Sequence, residues 1–151
     1  MLNTKWVSSF LGLVLIVMYL TGWWVSREPD LLVAEIKQSR QQLGDAAIVG
    51  YSTTTALIRV SETLLDKNGG YTANDIMPPF VMLDNMPAWE LGVLEMSRDL
   101  ALALRKDFSR SQSQSTENSY LKVAQPMFNI DHRSWAIPSA ESEYRKAIAQ
   151  L

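Results

Sequence analysis

Cysteine is absent from the 151 residues, and histidine occurs once, as His132. The first absence excludes a disulfide framework, a thiolate metal site and a cysteine nucleophile, and it is compatible with either side of a bacterial membrane. The second excludes multi-histidine zinc sites and bis-histidine haem ligation. Nor is positive charge in surplus: 14 basic residues against 16 acidic ones leave a net charge of −2. A dedicated nucleic-acid binder carries a basic excess, so no nucleic acid partner is expected. Sustained alternation of apolar and polar positions with β-branched residues is also missing, which points away from strands and toward an all-α fold.

Charge disappears altogether between Trp6 and Val25, WVSSFLGLVLIVMYLTGWWV. As a helix this run is roughly 30 Å long, the thickness of a bilayer's hydrocarbon layer. Trp6 and Phe10 stand at one end and Tyr19, Trp23 and Trp24 at the other, where interfacial aromatics belong. A cleavable signal peptide has a shorter apolar core and small residues before its cleavage site. Gly22, Trp23 and Trp24 occupy that place here, and the tryptophans are too bulky, so an uncleaved single-pass anchor is the reading adopted. Ser8 and Gly12 make a small-x-x-x-small pair, for which chance in a Gly/Ser-containing span is the simpler account. Lys5 and the terminal amine precede the span, while Arg27, Glu28 and Asp30 follow it. The positive-inside bias then puts the N-terminus in the cytoplasm and the remainder in the periplasm of a Gram-negative host. The expected division is an anchor over 1–26 and an extracytoplasmic helical domain over 27–151, small enough for one core.

Beyond the anchor the pattern is helical with punctuation. Residues 27–44 predict a helix with Pro29 near its first position, Leu32, Ile36 and Leu43 on one face, and Gly44 at its end. In GYSTTTALIRVSETLLDKNGG the hydroxyls of residues 52–55 are expected to cap a helix whose stripe is Leu57, Val60 and Leu64, stopped by Asn68-Gly69-Gly70. No histidine lies close to them in sequence and no Gly-x-Ser-x-Gly turn surrounds them, so a nucleophile is not inferred. Residues 71–87, YTANDIMPPFVMLDNMP, predict an irregular connector too apolar to be solvated. The longest helix is expected from Pro87 to about Arg110, capped by Asp84 or Asn85, with Trp89, Val93, Met96, Leu100, Leu104 and Phe108 as its buried stripe. Glu95, Arg98, Asp99, Arg105 and Lys106 fall largely off that stripe and read as a solvated face.

RKDFSRSQSQS at 105–115 reads as the end of this helix: Arg105, Lys106 and Arg110 complement its negative pole, and the Ser/Gln tract abandons the apolar stripe. Thr116 to Gln125 predicts a short helix closed by Pro126. In PMFNIDHRSWAIP, Phe128, Ile130, Trp135 and Ile137 are expected to alternate toward the core, with His132 as a surface or half-buried structural residue. Ser139 caps a final helix with Glu141 and Glu143 early and Arg145 and Lys146 late. It reaches the last residue with Ala147, Ile148 and Leu151 still apolar, which suggests a docked terminus or a chain shorter than its relatives.

Three stretches carry a further signal: GYSTTTALIRVSETLLDKNGGYTANDIMPP, LDNMPAWELGVLEMSRDLALALRKDFSRSQSQS and FNIDHRSWAIPSAESEYRKAI. Over residues 50–148 the chain resembles a family of proteobacterial membrane-anchored proteins catalogued as a domain of unknown function. The resemblance implies a helical body on a single-pass anchor in a proteobacterial inner membrane, and it brings no catalytic residues to carry over.

Two functions follow as expectations. The first is a non-enzymatic accessory or structural subunit of an inner-membrane complex. Its partners would be membrane lipid and one or more membrane-protein subunits. Trp6, Trp23 and Trp24 would lie at the membrane interface, and Phe80, Met82, Leu83, Trp135, Ile148 and Leu151 are the candidate partner contacts. The alternative is an envelope-acting enzyme, such as a hydrolase using paired carboxylates, for which Asp75, Asp84, Glu90 and Asp131 are the acids near irregular backbone. No cofactor, metal or small-molecule substrate is indicated.

Overall fold

A computed structural model describes residues 4–30, 33–44, 50–108 and 118–151. Among these residues there are six α-helices and no strand. α1 (Thr4–Val25) is the apolar helix, long and apolar enough to cross a membrane, as a membrane anchor or a signal sequence would be. Two of its hydroxyls bond to its own backbone, Ser8 Oγ donating to Lys5 O and Thr21 Oγ1 to Val17 O. That is what an apolar solvent demands of a polar side chain.

α2 (Val33–Leu43) starts after Pro29 rather than at it, and ends at Gly44. Ile36 is half-buried on this helix; Leu32 and the side chain of Leu43 lie outside what is described. α3 (Tyr51–Asp66) is entered through Gly50, at φ +94, and no side chain caps it. The hydroxyls expected as caps instead occupy its first turns, because the left-handed glycine starts the helix ahead of them. α3 stops where expected, at Lys67 before the Asn68-Gly69-Gly70 turn.

α4 (Asn85–Ala103) is capped by Asp84, whose Oδ1 accepts the Asn85 amide at 2.8 Å. Pro87 falls in its first turn, where a missing N–H costs nothing. A π-helical turn, Leu104–Phe108, prolongs it. The rest of the Ser/Gln tract, with Arg110, lies outside the described residues. α5 (Ser119–Phe128) is capped by Asn118, whose side chain accepts the Tyr120 and Leu121 amides. It runs through Pro126 instead of closing there, since fully buried Phe128 and the grip of Arg98 hold the last turn. α6 (Ala140–Ile148) has the expected Ser139 cap, Oγ accepting from Ser142 N.

Helices α3 to α6 enclose one core: Leu57, Leu64 and Leu65 from α3, Leu94 and Ala101 from α4, Phe128 from α5, and Ala140, Tyr144 and Ala147 from α6. Tyr71, from the connector, meets Tyr144 edge-on at 5.7 Å, and Phe128 stacks on Tyr144 at 6.3 Å. Both tyrosine hydroxyls donate to backbone carbonyls, Tyr71 to His132 and Tyr144 to Ile130. Burial raises both phenols above their ordinary value.

Two expected stripes hold in part: Leu57 and Leu64 of α3 and Leu104 at the end of α4 are buried, and Val93 and Leu100 pack against the core, but other members do not. On α3, Val60 faces outward and Ser61 is buried in its place. On α4 the buried line is Met86, Glu90, Leu94, Ser97 and Ala101, whereas Trp89 and Met96 lie outside it and Met96 is 71% exposed. Phe108 lies outside the described side chains.

The C-terminal end of α1 is part of the body. Gly22 and Val25 are its buried residues. A Cβ at Gly22 would stand 3.7 Å from Leu83 Cδ2 and 3.9 Å from Pro79 Cβ. Val25 is fully enclosed, over Gly69, where φ is +83 and a Cβ would come within 2.7 Å of Val25 Cγ2. Glycine is therefore required at 69 twice, by backbone and by space. Gly69→Ala should cost about 1–3 kcal/mol of stability from backbone strain, and more through displaced Val25. Gly70→Ala, at φ +72 where a Cβ would meet only Leu65 O at an ordinary 3.8 Å, should suffer only the first penalty. Thermal unfolding of both variants in detergent reads the difference.

Candidate functional site

Of the four candidate carboxylates, Glu90 is the most constrained. It is fully buried, one turn into α4, beneath the chain that leaves α3. Glu90 Oε1 accepts Thr72 N at 2.8 Å and Thr72 Oγ1 at 2.9 Å; Oε2 accepts Thr72 N at 3.1 Å and Ala73 N at 2.6 Å. Lys67 completes the site. Its side chain is as buried as that of Glu90 and ion-pairs with Oε1, while Nζ also donates to the carbonyls of Leu64 and Gly70. An ammonium has three protons to give, and three acceptors take them. The carboxylate is closed on all sides by peptide amides, a hydroxyl and a cation. It has no open face toward a substrate, and its chemistry is structural.

The other three acids are apart from it in role. Asp84 is the cap of α4. Asp131 is exposed, its Oδ1 accepting Arg133 N at 3.0 Å and standing 3.6 Å from His132 Nδ1. Asp75 lines a groove of about 300 Å³ with Ile76, Phe80, Val81, Leu83, Pro87 and Arg133, and none of the other three acids shares that groove. Desolvation raises the Asp75 carboxyl above the ordinary range, Glu141 and Glu90 push it the same way, and Lys67 opposes them. Among the described residues, no group of three or more acidic or histidine side chains is placed to hold a metal ion.

Next to Asp75, Asn74 is buried and joins the two irregular loops. Its Nδ2 donates to Ser134 O at 3.0 Å and to Glu141 Oε2 at 3.1 Å. Ser134 in turn donates through Oγ to Pro138 O and accepts Ala140 N on its carbonyl, so the second loop is folded onto the start of α6. The loops bury their polar members and expose apolar ones. Trp135 is 63% exposed and Ile137 fully so, against the expectation that both turn inward; Phe128 and Ile130 alone of that series do. Backbone hydrogen bonding at 131–134 and 134–140 fixes the loop with those two side chains outward.

Among the candidate partner contacts, Met82 and Trp135 are exposed. Phe80 and Leu83 are half-buried, and Ile148 and Leu151 pack against the core. Trp6, Trp23 and Trp24 are all exposed on α1, with the Arg27 guanidinium 4.1 Å from the Trp23 ring centre. A second, largely apolar groove of about 450 Å³ lies between α3 and α4, lined by Leu57, Val60, Met96 and Leu100. The buried hydroxyl of Ser97, also in its lining, has no hydrogen-bond partner among the described residues.

Two structural roles were not read from sequence. In sequence Lys67 has no role of its own, and Arg98 reads as part of a solvated face. Arg98 instead donates to Phe128 O at 2.6 Å and Ile130 O at 2.7 Å, closing the end of α5, with Glu95 as its ion partner. A cation meeting orphan carbonyls at a helix end is common, but nothing local in sequence pairs residue 98 with residue 128.

Two outcomes follow. Glu90→Ala leaves Lys67 buried and unpaired and the Thr72 and Ala73 amides without their acceptor. Unfolding in urea should then show a loss of about 3–5 kcal/mol, and Lys67→Met combined with Glu90→Leu should recover only the part owed to the unpaired charge. For Asp75, a folded-state pKa above the unfolded one means that the native state binds the proton more tightly. Stability then falls as pH rises through that interval. Asp75→Asn should therefore stabilise the protein at pH 7 relative to the parent, and the gain should vanish once pH drops below the unfolded carboxylate value of about 3.9.

No curated protein and no solved structure matches the chain. One family model matches it over residues 2–151, described as an uncharacterized protein conserved in bacteria. The match takes in the apolar helix, the Lys67 turn, both loops and the capped helices alike, so the chain belongs to the bacterial family DUF2333.

Proposed function

We propose that the chain is a non-enzymatic accessory or structural subunit of an inner-membrane protein complex. One uncleaved transmembrane helix holds it, with the N-terminus cytoplasmic and residues 27–151 periplasmic. The observation that carries this reading is the docking of α1 into the body through Gly22 and Val25. A signal sequence is discarded after export and has no need of a fitted seat in the mature fold. Removal of α1 here strips Val25 from Gly69 and uncovers apolar surface at Leu83 and Pro79.

The accessory role draws on two further features. Two of the acids nearest irregular backbone are engaged in holding the fold, Glu90 with Lys67 and Asp84 with the Asn85 amide. Meanwhile the body carries exposed Trp135 and Ile137 on one loop, and Val60 and Met96 beside the α3–α4 groove. Apolar surface of this kind marks a contact with another chain, and an exposed tryptophan is the residue type that most often dominates such contacts.

The test is purification of the full-length, C-terminally tagged protein from its native membrane in mild detergent. The expected result is a chain with its first residues intact and a stoichiometric membrane protein alongside it. Substitution of Trp135→Ala together with Ile137→Ser should weaken that association roughly tenfold or more. Recovery of the protein alone, or trimmed after α1, overturns the reading.

A further inference from the structure

From Ile76 to Leu83 the chain reads IMPPFVML, eight residues without one polar side chain, between Asp75 and Asp84. Ile76, Met77, Val81 and Met82 are all exposed, Met82 to 72%. Such a segment in water calls for an explanation. Its position supplies one. Pro79 and Leu83 lie against Gly22, about one turn before the end of α1. Trp23 and Trp24 follow immediately, and they are the aromatic belt by which α1 passes from hydrocarbon to headgroups. The turn is thus at the depth of the bilayer surface, beside the helix that fixes that depth.

The backbone is suited to the same place. Polar peptide groups resist leaving water unless they are paired. Pro78 and Pro79 have no N–H to lose. The amides of Val81, Met82 and Leu83 donate to Met77 O, Pro79 O and Phe80 O at 3.2, 3.0 and 2.9 Å, within a short 3-10 turn at Phe80–Met82. An apolar octapeptide with two prolines and three of its six amides internally bonded resembles, on a small scale, the interfacial elements of monotopic proteins.

We propose that Ile76–Leu83 is a second membrane contact, seated among the headgroups and upper acyl chains of the leaflet from which α1 emerges. Lipid, rather than a protein subunit, is its occupant, because the segment is continuous with α1 at the level of the aromatic belt. The body then lies on the bilayer with one fixed tilt, held at two points. The inference rests on the reading of α1 as a retained anchor.

Absence of cysteine makes the test direct. Full-length chains carrying a single substitution, Met77→Cys, Val81→Cys or Met82→Cys, are labelled with an environment-sensitive fluorophore. They are reconstituted into vesicles of phosphatidylethanolamine and phosphatidylglycerol containing lipids spin-labelled near the headgroup. Leu11→Cys, in the middle of α1, is the companion probe of insertion, with lipids spin-labelled deep in the acyl chain. All three loop positions are exposed, so the substitutions leave the packing intact. Quenching of the loop labels severalfold above that of a label at Met96→Cys, with blue-shifted emission, is the expected result. Strong quenching at position 11 with water-like emission at 77, 81 and 82 overturns the proposal while the anchor stands. Blue-shifted loop labels that shallow spin-labelled lipid fails to quench assign the segment to contact between copies of the chain, and also overturn it. Absence of quenching at position 11 brings down the anchor and this inference together.

Discussion

Lys67 and Glu90 form an ion pair with almost no exposure to water, and the path of the chain around it is set by what each charge requires. Desolvating a carboxylate and an ammonium is costly, and their mutual attraction repays it only when the remaining lone pairs and protons find partners. The chain supplies these by turning sharply at Asn68-Gly69-Gly70, so that the Gly70 carbonyl faces the lysine and the Thr72 and Ala73 amides face the glutamate. The turn in turn delivers Tyr71 to the core, Asn74 to the second loop, and Gly69 to Val25. Three features that look independent in sequence are therefore consequences of one buried charge pair.

That pair also explains why part of the fold was legible in the sequence and part was not. Helix ends governed by local chemistry were readable: the Asp84 and Ser139 caps, the glycine stop after α3, and the uncharged run of α1. The face that α4 turns inward was legible only in part: Val93, Leu100 and Leu104 meet the core as expected, whereas Glu90 and Ser97 were not foreseen there. A period of 3.6 read on apolar residues also selects Trp89 and Met96, because Glu90 and Ser97 count as polar and so as solvated. Once Glu90 is neutralised from within, its line Met86–Glu90–Leu94–Ser97–Ala101 becomes the buried one, and Met96 is left outside. Ser61 displaced Val60 on α3 for a related reason: two small hydroxyl-bearing residues, Ser61 and Ser97, are buried where α3 and α4 are neighbours. Pro126 was misread in the other direction. A local breaker was outweighed by distant partners, the burial of Phe128 and the guanidinium of Arg98.

The candidate carboxylates divide in the same way. Proximity to irregular backbone is what singled out Asp75, Asp84, Glu90 and Asp131, and irregular backbone turns out to be where unpaired amides need acceptors. Asp84, Glu90 and Asp131 each satisfy such amides. The same signal that flags catalytic acids thus flags capping acids, and only three-dimensional position separates them. Asp75 is the exception, with a raised carboxyl in an open groove beside Arg133.

Val25 sits over Gly69, the middle of the turn that follows Lys67, so the stem and the charge pair share a hinge pin. A single-pass helix changes its lean when the bilayer thins or thickens. In most such proteins a slack tether would absorb that lean. With α1 retained in the membrane as proposed, no slack would intervene between its last turn and the turn that closes over Glu90, and membrane thickness would become a mechanical load on the electrostatic heart of the domain.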